Sequence, residues 1–133
     1  MTDLAFLQAR ISGYADYSDR DARHQVDKQV RAFLGEALAG VRSRFNVTDA
    51  LLERLDGMMM RCEFSDQRVI RAADHASFDQ RLIDRVHEVD REIVECAERL
   101  RELGSIEALP AELDTAARCF DERFGAIVDA PGP

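Results

Sequence analysis

The stretch LIDRVHEVDREIVECAERLREL, residues 82–103, carries the most regular hydrophobic pattern in the chain. Its apolar side chains recur in alternating steps of four and three, at Leu82, Val86, Val89, Ile93, Cys96, Leu100 and Leu103. This spacing forms a heptad seam, because side chains repeated in this way lie along one side of an α-helix. Gly104 follows directly, and a glycine commonly ends a helix at this position. The stretch therefore predicts a long helix that buries one face against other helices.

Helical periodicity continues on both sides of this stretch, and no segment alternates apolar and polar residues as a strand does. The pattern predicts four further helices, over about 3–12, 18–45, 49–76 and 110–128. A break near Phe64 and Ser65 would divide the third of these in two. We therefore predict an all-α fold, an antiparallel up-down four-helix bundle with a short extra N-terminal helix.

The length and composition fit a single soluble domain. The chain has 133 residues, of which 46% are hydrophobic and 33% charged, so it can form a core of its own. We predict one helical-bundle domain over 1–128 and a flexible C-terminal tail over 129–133. No apolar run approaches the length of a membrane span. Acids and arginine interrupt the N-terminal segment, so we expect no secretory signal there.

The three cysteines predict a reducing compartment. Cys62, Cys96 and Cys119 are an odd number and show no C-x-x-C spacing. We therefore expect reduced thiols in a cytoplasmic protein. Cys119 falls off the apolar stripe of its helix, so we expect its thiol to be exposed.

The net charge and the absence of known motifs limit the functions that the chain can have. The 26 acidic and 18 basic residues give a net charge of -8, which argues against nucleic acid or an anionic membrane as partner. No catalytic motif is present, so no catalytic residue is assigned, and the sequence favours a non-enzymatic role. No cofactor is expected, and the Glu-x-x-His pair of di-iron bundles is absent. We predict an adaptor or regulatory protein that acts through a protein partner or as a homodimer.

Three aspartates fall on apolar faces of separate predicted helices. With about 100° of rotation per residue, Asp27, Asp66 and Asp90 each lie within or beside an apolar stripe. Counting residues from the connecting turns places all three at one level of an up-down bundle. Arg23 lies one turn before Asp27 and points inward, and His87 lies one turn before Asp90.

A layer of buried carboxylates needs solvent, cations or added protons to offset its charge, because an unpaired buried carboxylate is strongly unfavourable. Three interpretations stay open. In the first, Asp66 caps a helix after a break, and the other two aspartates reach solvent at helix edges. In the second, arginines complete a structural polar network. In the third, a divalent metal or small ligand binds to a set formed by Asp27, Asp66, Asp90 and His87. Arg23 would belong to the same polar layer. Oxygen ligands suit Mg²⁺, Ca²⁺ or Mn²⁺, and one histidine would admit iron or zinc.

Overall fold

The computed structural model of the chain describes residues 1–132, and within this range it contains six α-helices and no strand. The helices are α1 (Asp3–Arg10), α2 (Arg23–Arg44), α3 (Asp49–Glu63), α4 (Gln67–His75), α5 (Gln80–Arg101) and α6 (Leu109–Val128). Short 3-10 turns at Arg20–Ala22 and Ile106–Ala108 lead into α2 and α6. The predicted all-α bundle with a short N-terminal helix is confirmed.

The helix expected over 49–76 is divided into α3 and α4. Phe64 ends α3 in an extended conformation, with φ -114° and ψ 130°. Asp66 then caps α4, because its Oδ1 accepts a hydrogen bond from the backbone N of Arg68 at 2.8 Å. The break that the sequence left open is therefore present. We call residues 64–66 the elbow.

Four helices surround the core in a ring, in which α2 and α6 each contact both α3 and α5. Ion pairs between α5 and α6 show how these neighbours run. Arg85, near the start of α5, pairs with Glu122, whereas Arg99, near its end, pairs with Glu112. The pairs join the helices in opposite residue order, as antiparallel neighbours do. Helix α1 packs against α5, and α4 packs against α6 and α2.

The heptad stretch supplies the centre of the core. Five of its seven seam residues have no exposed surface: Val86, Val89, Ile93, Cys96 and Leu100. Leu82 and Leu103, at the two ends, are partly buried. Burying an aliphatic side chain of this size contributes about 1.5–3 kcal/mol. The seam therefore holds α5 against α1, α2 and α6.

Helix α2 begins later than the sequence predicted. Asp19 closes a 3-10 turn by accepting a hydrogen bond from the backbone N of Asp21 at 3.0 Å, and α2 starts only at Arg23. The preceding loop folds inward, so that Tyr14 and Tyr17 are buried. The loop therefore contributes to the core as well as connecting two helices.

The C-terminal segment lies beside α4. The backbone N of Ser77 donates a hydrogen bond to the carbonyl oxygen of Pro131 at 2.8 Å. The predicted flexibility of 129–133 stays a prediction, and Pro133 lies outside the described residues. None of the helices in residues 1–132 has the length and apolar character needed to cross a membrane.

Cys119 is buried, so the expectation of an exposed thiol is wrong. The residue lies between α5 and α6, where its Sγ donates a hydrogen bond to Glu92 Oε2 at 3.5 Å. Burial raises the pKa of the Cys119 thiol to about 12. A thiol with so high a pKa is not ionised near neutral pH and is therefore a poor nucleophile.

Gly35 lies where α2 and α3 approach closely. A Cβ atom on Gly35 would stand 3.2 Å from the Cβ of Cys62, which is tighter than ordinary van der Waals contact. Gly40, in the same helix, offers a matched comparison. A Cβ there would meet Arg44 Nη1 at 3.8 Å, an ordinary contact.

We expect Gly40→Ala to raise the free energy of unfolding by about 0.5–1 kcal/mol, because alanine favours the helix over the unfolded chain. We expect Gly35→Ala to lower it, because the added methyl group forces α2 away from α3. Urea denaturation followed by circular dichroism measures both changes. An equal gain for the two variants would contradict a tight contact between α2 and α3.

Candidate functional site

Arg123 of α6 lies at the centre of a buried polar cluster. Only 6% of the residue is exposed. Its Nε donates a hydrogen bond to Asp90 Oδ1 at 2.7 Å, and its Nη1 donates to Asp27 Oδ1 at 2.5 Å. Its Nη2 donates to the hydroxyl of Tyr17. One guanidinium therefore joins α2, α5, α6 and the loop before α2.

Each aspartate has further partners. The hydroxyl of Tyr14 donates to Asp90 Oδ2 at 3.0 Å. Asp27 Oδ2 accepts hydrogen bonds from Arg31 Nε at 3.0 Å and from the Ser65 hydroxyl at 3.2 Å. Because Ser65 belongs to the elbow, the cluster also holds the bend between α3 and α4. We call the cluster the Arg123 network, formed by Tyr14, Tyr17, Asp27, Arg31, Ser65, Asp90 and Arg123.

The two aspartates of the network differ in their electrostatic surroundings. Burial by itself would raise the pKa of Asp27, but Arg123 and Arg31 outweigh it and hold this pKa below its usual range. Burial raises the pKa of Asp90 above its usual range despite the attraction of Arg123. The difference follows from their partners, since two guanidinium groups contact Asp27 and only one contacts the fully buried Asp90.

The structure brings together two of the three predicted aspartates. Asp27 and Asp90 both contact Arg123. Asp66 lies apart from them, because the break at the elbow makes it the N-cap of α4. Its side chain is 42% exposed there and pairs with Arg68 at 3.4 Å. The alignment of Asp66 with the other two aspartates depended on a continuous third helix, which does not form.

His87 and Arg23 are buried, but they contact other groups. The Nε2 of His87 lies 3.0 Å from Asp16 Oδ1, outside the Arg123 network. Arg23 Nε donates a hydrogen bond to the carbonyl oxygen of Tyr17 at 2.7 Å. Arg23 Nη1 donates to the carbonyl oxygen of Ala76 at 3.1 Å. Arg23 therefore joins the loop before α2 to the end of α4 and does not neutralise the aspartates.

The predicted metal-binding set is not assembled. In the part of the chain that the structure describes, no three His, Cys, Asp or Glu side chains lie close enough together to hold a metal ion. The oxygens of Asp27 and Asp90 accept hydrogen bonds from Arg123, so a cation would have to displace a guanidinium. The geometry therefore favours the structural polar network, which the sequence had left open.

The polar layer predicted from the sequence did not include Arg123, Tyr14 or Tyr17. Arg123 lies three residues after Phe120 and four before Ile127, and both of these are buried on the apolar stripe of α6. This periodicity was the signal that could have found it. Tyr14 and Tyr17 lie in a loop, where no periodicity indicates which way a side chain points.

A cleft of about 410 Å³ opens beside the network at the elbow. We call it the elbow cleft. Its walls are apolar and come from Met60, Phe64, Val69, Phe120 and Phe124. Its polar lining comes from Asp27, Arg31, Arg61, Ser65, Asp66 and Arg123. The cleft therefore combines an apolar surface with charged groups, of which Asp27, Arg31 and Arg123 belong to the Arg123 network.

Two apolar residues of the elbow cleft are strongly exposed, Phe64 by 64% and Met60 by 60%. Among residues 1–132, Met1 is the only other large hydrophobic residue with comparable exposure. Exposed apolar side chains that lie together commonly mark interaction sites, whereas single ones are ordinary. Comparisons of the chain with protein-family models, with curated proteins and with solved structures found no match.

We expect Arg123→Met to lower the free energy of unfolding by about 3–5 kcal/mol, because it leaves Asp27 and Asp90 buried without their shared cation. Methionine keeps much of the side-chain volume, so the loss of unfolding free energy reflects the missing positive charge rather than a cavity. Urea denaturation at neutral pH measures the change.

Arg118→Met is the matched control for this variant, because Arg118 lies on the same helix and forms ion pairs with its side chain 51% exposed. We expect little or no change in stability, since exposed pairs contribute little. Similar losses for the two variants would contradict a special role for the buried guanidinium.

We expect the stability of the wild type to fall relative to that of Asp90→Asn as pH rises above about 4, the ordinary pKa of an aspartate. With a raised pKa, folded Asp90 holds its proton more tightly than unfolded Asp90. Stability is therefore lost between the unfolded and the folded pKa as pH increases. The asparagine side chain does not titrate in this pH range, so the variant lacks this loss of stability. Urea denaturation of both proteins across this pH range measures the difference, and a wild type that gains stability relative to Asp90→Asn as pH rises would contradict the prediction.

Proposed function

We propose that this chain is a small helical-bundle protein of the cytoplasm that works by binding another protein, in an adaptor or regulatory role. Its contact surface is the elbow cleft. The observation that carries the proposal is the exposure of Met60 and Phe64 on the walls of one cleft. Removing apolar surface from water contributes about 25 cal/mol per Å², and large apolar side chains often anchor protein interfaces.

The Arg123 network supports this function by holding the cleft in shape. Asp27 binds Ser65 of the elbow and Arg31 of α2, and Arg31 Nη1 donates a hydrogen bond to the carbonyl oxygen of Cys62 at 2.8 Å. These contacts tie the end of α3 and the elbow to α2. A surface that is ordered before binding loses less conformational entropy when a partner arrives.

Cellular location is part of the proposal. The three cysteines are free and buried, which suits a compartment in which thiols stay reduced. A second copy of the chain is one form that the partner could take, and the test below separates it from a different protein.

A small ligand is the alternative occupant of the cleft. Its volume of about 410 Å³ falls in the range of small-molecule sites, and polar groups converge on its apolar walls. Native mass spectrometry of the protein purified from its own cells would then show a discrete added mass. Arg31→Ala would remove it, because Arg31 contributes to the polar lining.

The test is a photo-crosslinker placed at the cleft. We expect Phe64→benzoylphenylalanine to form a discrete protein adduct on irradiation of the source cells, because position 64 would lie in the interface. The same crosslinker at Asp114, whose side chain is 75% exposed far from the elbow, is the control. Gel electrophoresis and mass spectrometry identify the adduct.

Adding Met60→Ala to the crosslinking protein should reduce the adduct, since Met60 shares the cleft with Phe64. An adduct of twice the chain mass would identify the partner as a second copy. The absence of an adduct at position 64, or the same adducts from position 114, would overturn the proposal.

A further inference from the structure

We propose that His87 and Asp16 bind a divalent transition-metal ion such as Zn²⁺, with Asp84 as a third ligand. The site lies in a pocket of about 510 Å³ where the start of α1, the loop before α2 and the first half of α5 meet. We call it the His87 pocket. It shares no lining residue with the elbow cleft, so this inference goes beyond the proposed function and does not depend on it.

His87 brings to this pocket a ring nitrogen that has no hydrogen-bond partner. Only 5% of the residue is exposed, and its Nε2 is itself buried. Asp16 Oδ1 lies 3.0 Å away, but the two atoms are not aligned for a hydrogen bond. A buried polar atom without a partner is unfavourable. The orphan nitrogen therefore points to a ligand in the pocket that His87 lines.

The spacing between His87 and Asp16 is that of two ligands on one ion. Zn²⁺ binds nitrogen and carboxylate oxygen at about 2.0–2.2 Å, so neighbouring ligand atoms stand about 2.8–3.6 Å apart. The 3.0 Å between Nε2 and Oδ1 falls in this range. A second histidine–aspartate pair, at the surface, is different, because His24 Nε2 forms a hydrogen bond with Asp74 Oδ1 at 2.5 Å.

The same spacing argues against an organic amine in this position. An ammonium group donates along bonds that diverge by about 109°, so two acceptors at about 2.9 Å from its nitrogen stand about 4.7 Å apart. The two atoms of His87 and Asp16 are much closer than this. Imidazole nitrogen combined with carboxylate oxygen suits zinc and its neighbours in the first transition series.

The carboxylates of the site carry charge that no arginine neutralises. Among residues 1–132, no ion pair joins Asp16 or Asp84 to arginine, to lysine or to the N-terminus. Asp16 Oδ1 accepts a long hydrogen bond from the backbone N of Ser18 at 3.3 Å, which holds it within the loop. Asp84 Oδ1 accepts one from Gln80 Nε2 at 2.8 Å. A cation bound here would therefore meet two carboxylates without displacing a guanidinium.

Asp84 has to turn to complete the site, because no three possible ligands in residues 1–132 stand close enough together to hold an ion. Asp84 lies three residues before His87, on the same face of α5. It is exposed, and exposed side chains change rotamer rapidly. Asp3 also lines the pocket, but it pairs with Arg91 at 3.2 Å and is not needed. Water fills the remaining positions around the ion.

A bound ion would join the loop before α2 to α5. This loop carries Tyr14 and Tyr17 into the core, and Asp16 lies between them in sequence. The unfolded chain does not hold Asp16 and His87 together, so a metal that binds both favours the folded state. Metal binding is therefore expected to raise the melting temperature as well as to produce a binding signal.

The test is a titration of the full chain with ZnCl₂ after removal of metal by a chelator. Calorimetry measures the stoichiometry and the affinity, and NMR of the histidine side chains identifies the ligand. We expect one Zn²⁺ per chain, a higher melting temperature, and a shift of the His87 Nε2 signal. The signals of His24 and His75 should not move.

Variants of the aspartates separate this site from non-specific binding. Asp16→Asn and Asp84→Asn should each weaken Zn²⁺ binding at least about 10-fold. Asp74→Asn is the matched control, because it removes the carboxylate of the hydrogen-bonded pair with His24, and it should leave the affinity unchanged. His87→Gln should abolish binding, with circular dichroism to confirm the fold. Asp84 is exposed, so the result for its variant does not depend on a change in the core.

Other outcomes overturn the inference. MgCl₂ is the second probe, and since Mg²⁺ prefers oxygen ligands and water, it should not move the His87 signal. Equal binding of Mg²⁺ and Zn²⁺, no binding of Zn²⁺, or binding that survives either Asp16→Asn or Asp84→Asn would refute the site. An equal loss in Asp74→Asn would refute it too. The proposed function is decided separately, by the photo-crosslink at position 64.

Discussion

The guanidinium of Arg123 carries a full positive charge inside the bundle, and the fold provides two carboxylates to meet it. Asp27 comes from α2 and Asp90 from α5, so Arg123 contacts both carboxylates only when these two helices and α6 stand at one level. Apolar contacts tolerate small sliding of one helix along another, whereas a hydrogen-bonded ion cluster does not. We infer that the network sets the register of the bundle, while the heptad seam of α5 supplies most of the driving force.

The elbow depends on this cluster. A helix interrupted after 15 residues exposes backbone groups and leaves its next segment free to reorient. Ser65 and Arg31 both bind Asp27, so the interruption is tied to the centre of the molecule. The apolar walls of α3, α4 and α6 are therefore kept apart as a cleft. Without that restraint, Phe64 would be free to fold onto the nearby apolar surface.

Most of the fold was open to prediction from the sequence, because periodicity reports which side of a helix is buried. The seam from Leu82 to Leu103 and the inward positions of Asp27 and Asp90 follow from 3.6 residues per turn. The continuity of residues 49–76 could not be decided in this way, since Asp66 serves equally well on a continuous stripe or as an N-cap. Tyr14 and Tyr17 could not be placed, because a loop has no period.

Arg123 shows a general limit of predicting buried charged residues from helical periodicity. An arginine on an apolar stripe is compatible with a long side chain that reaches solvent, and only the position of its partners decides otherwise. Those partners come from residues 96 and 33 positions earlier in the chain. The sequence interpretation that placed Asp27 and Asp90 at one level allowed for arginines beside them but named Arg23 of α2, whereas the cation is Arg123 of α6. Buried carboxylates in a helical bundle therefore predict a buried arginine before they predict a metal, because the arginine can come from the chain itself.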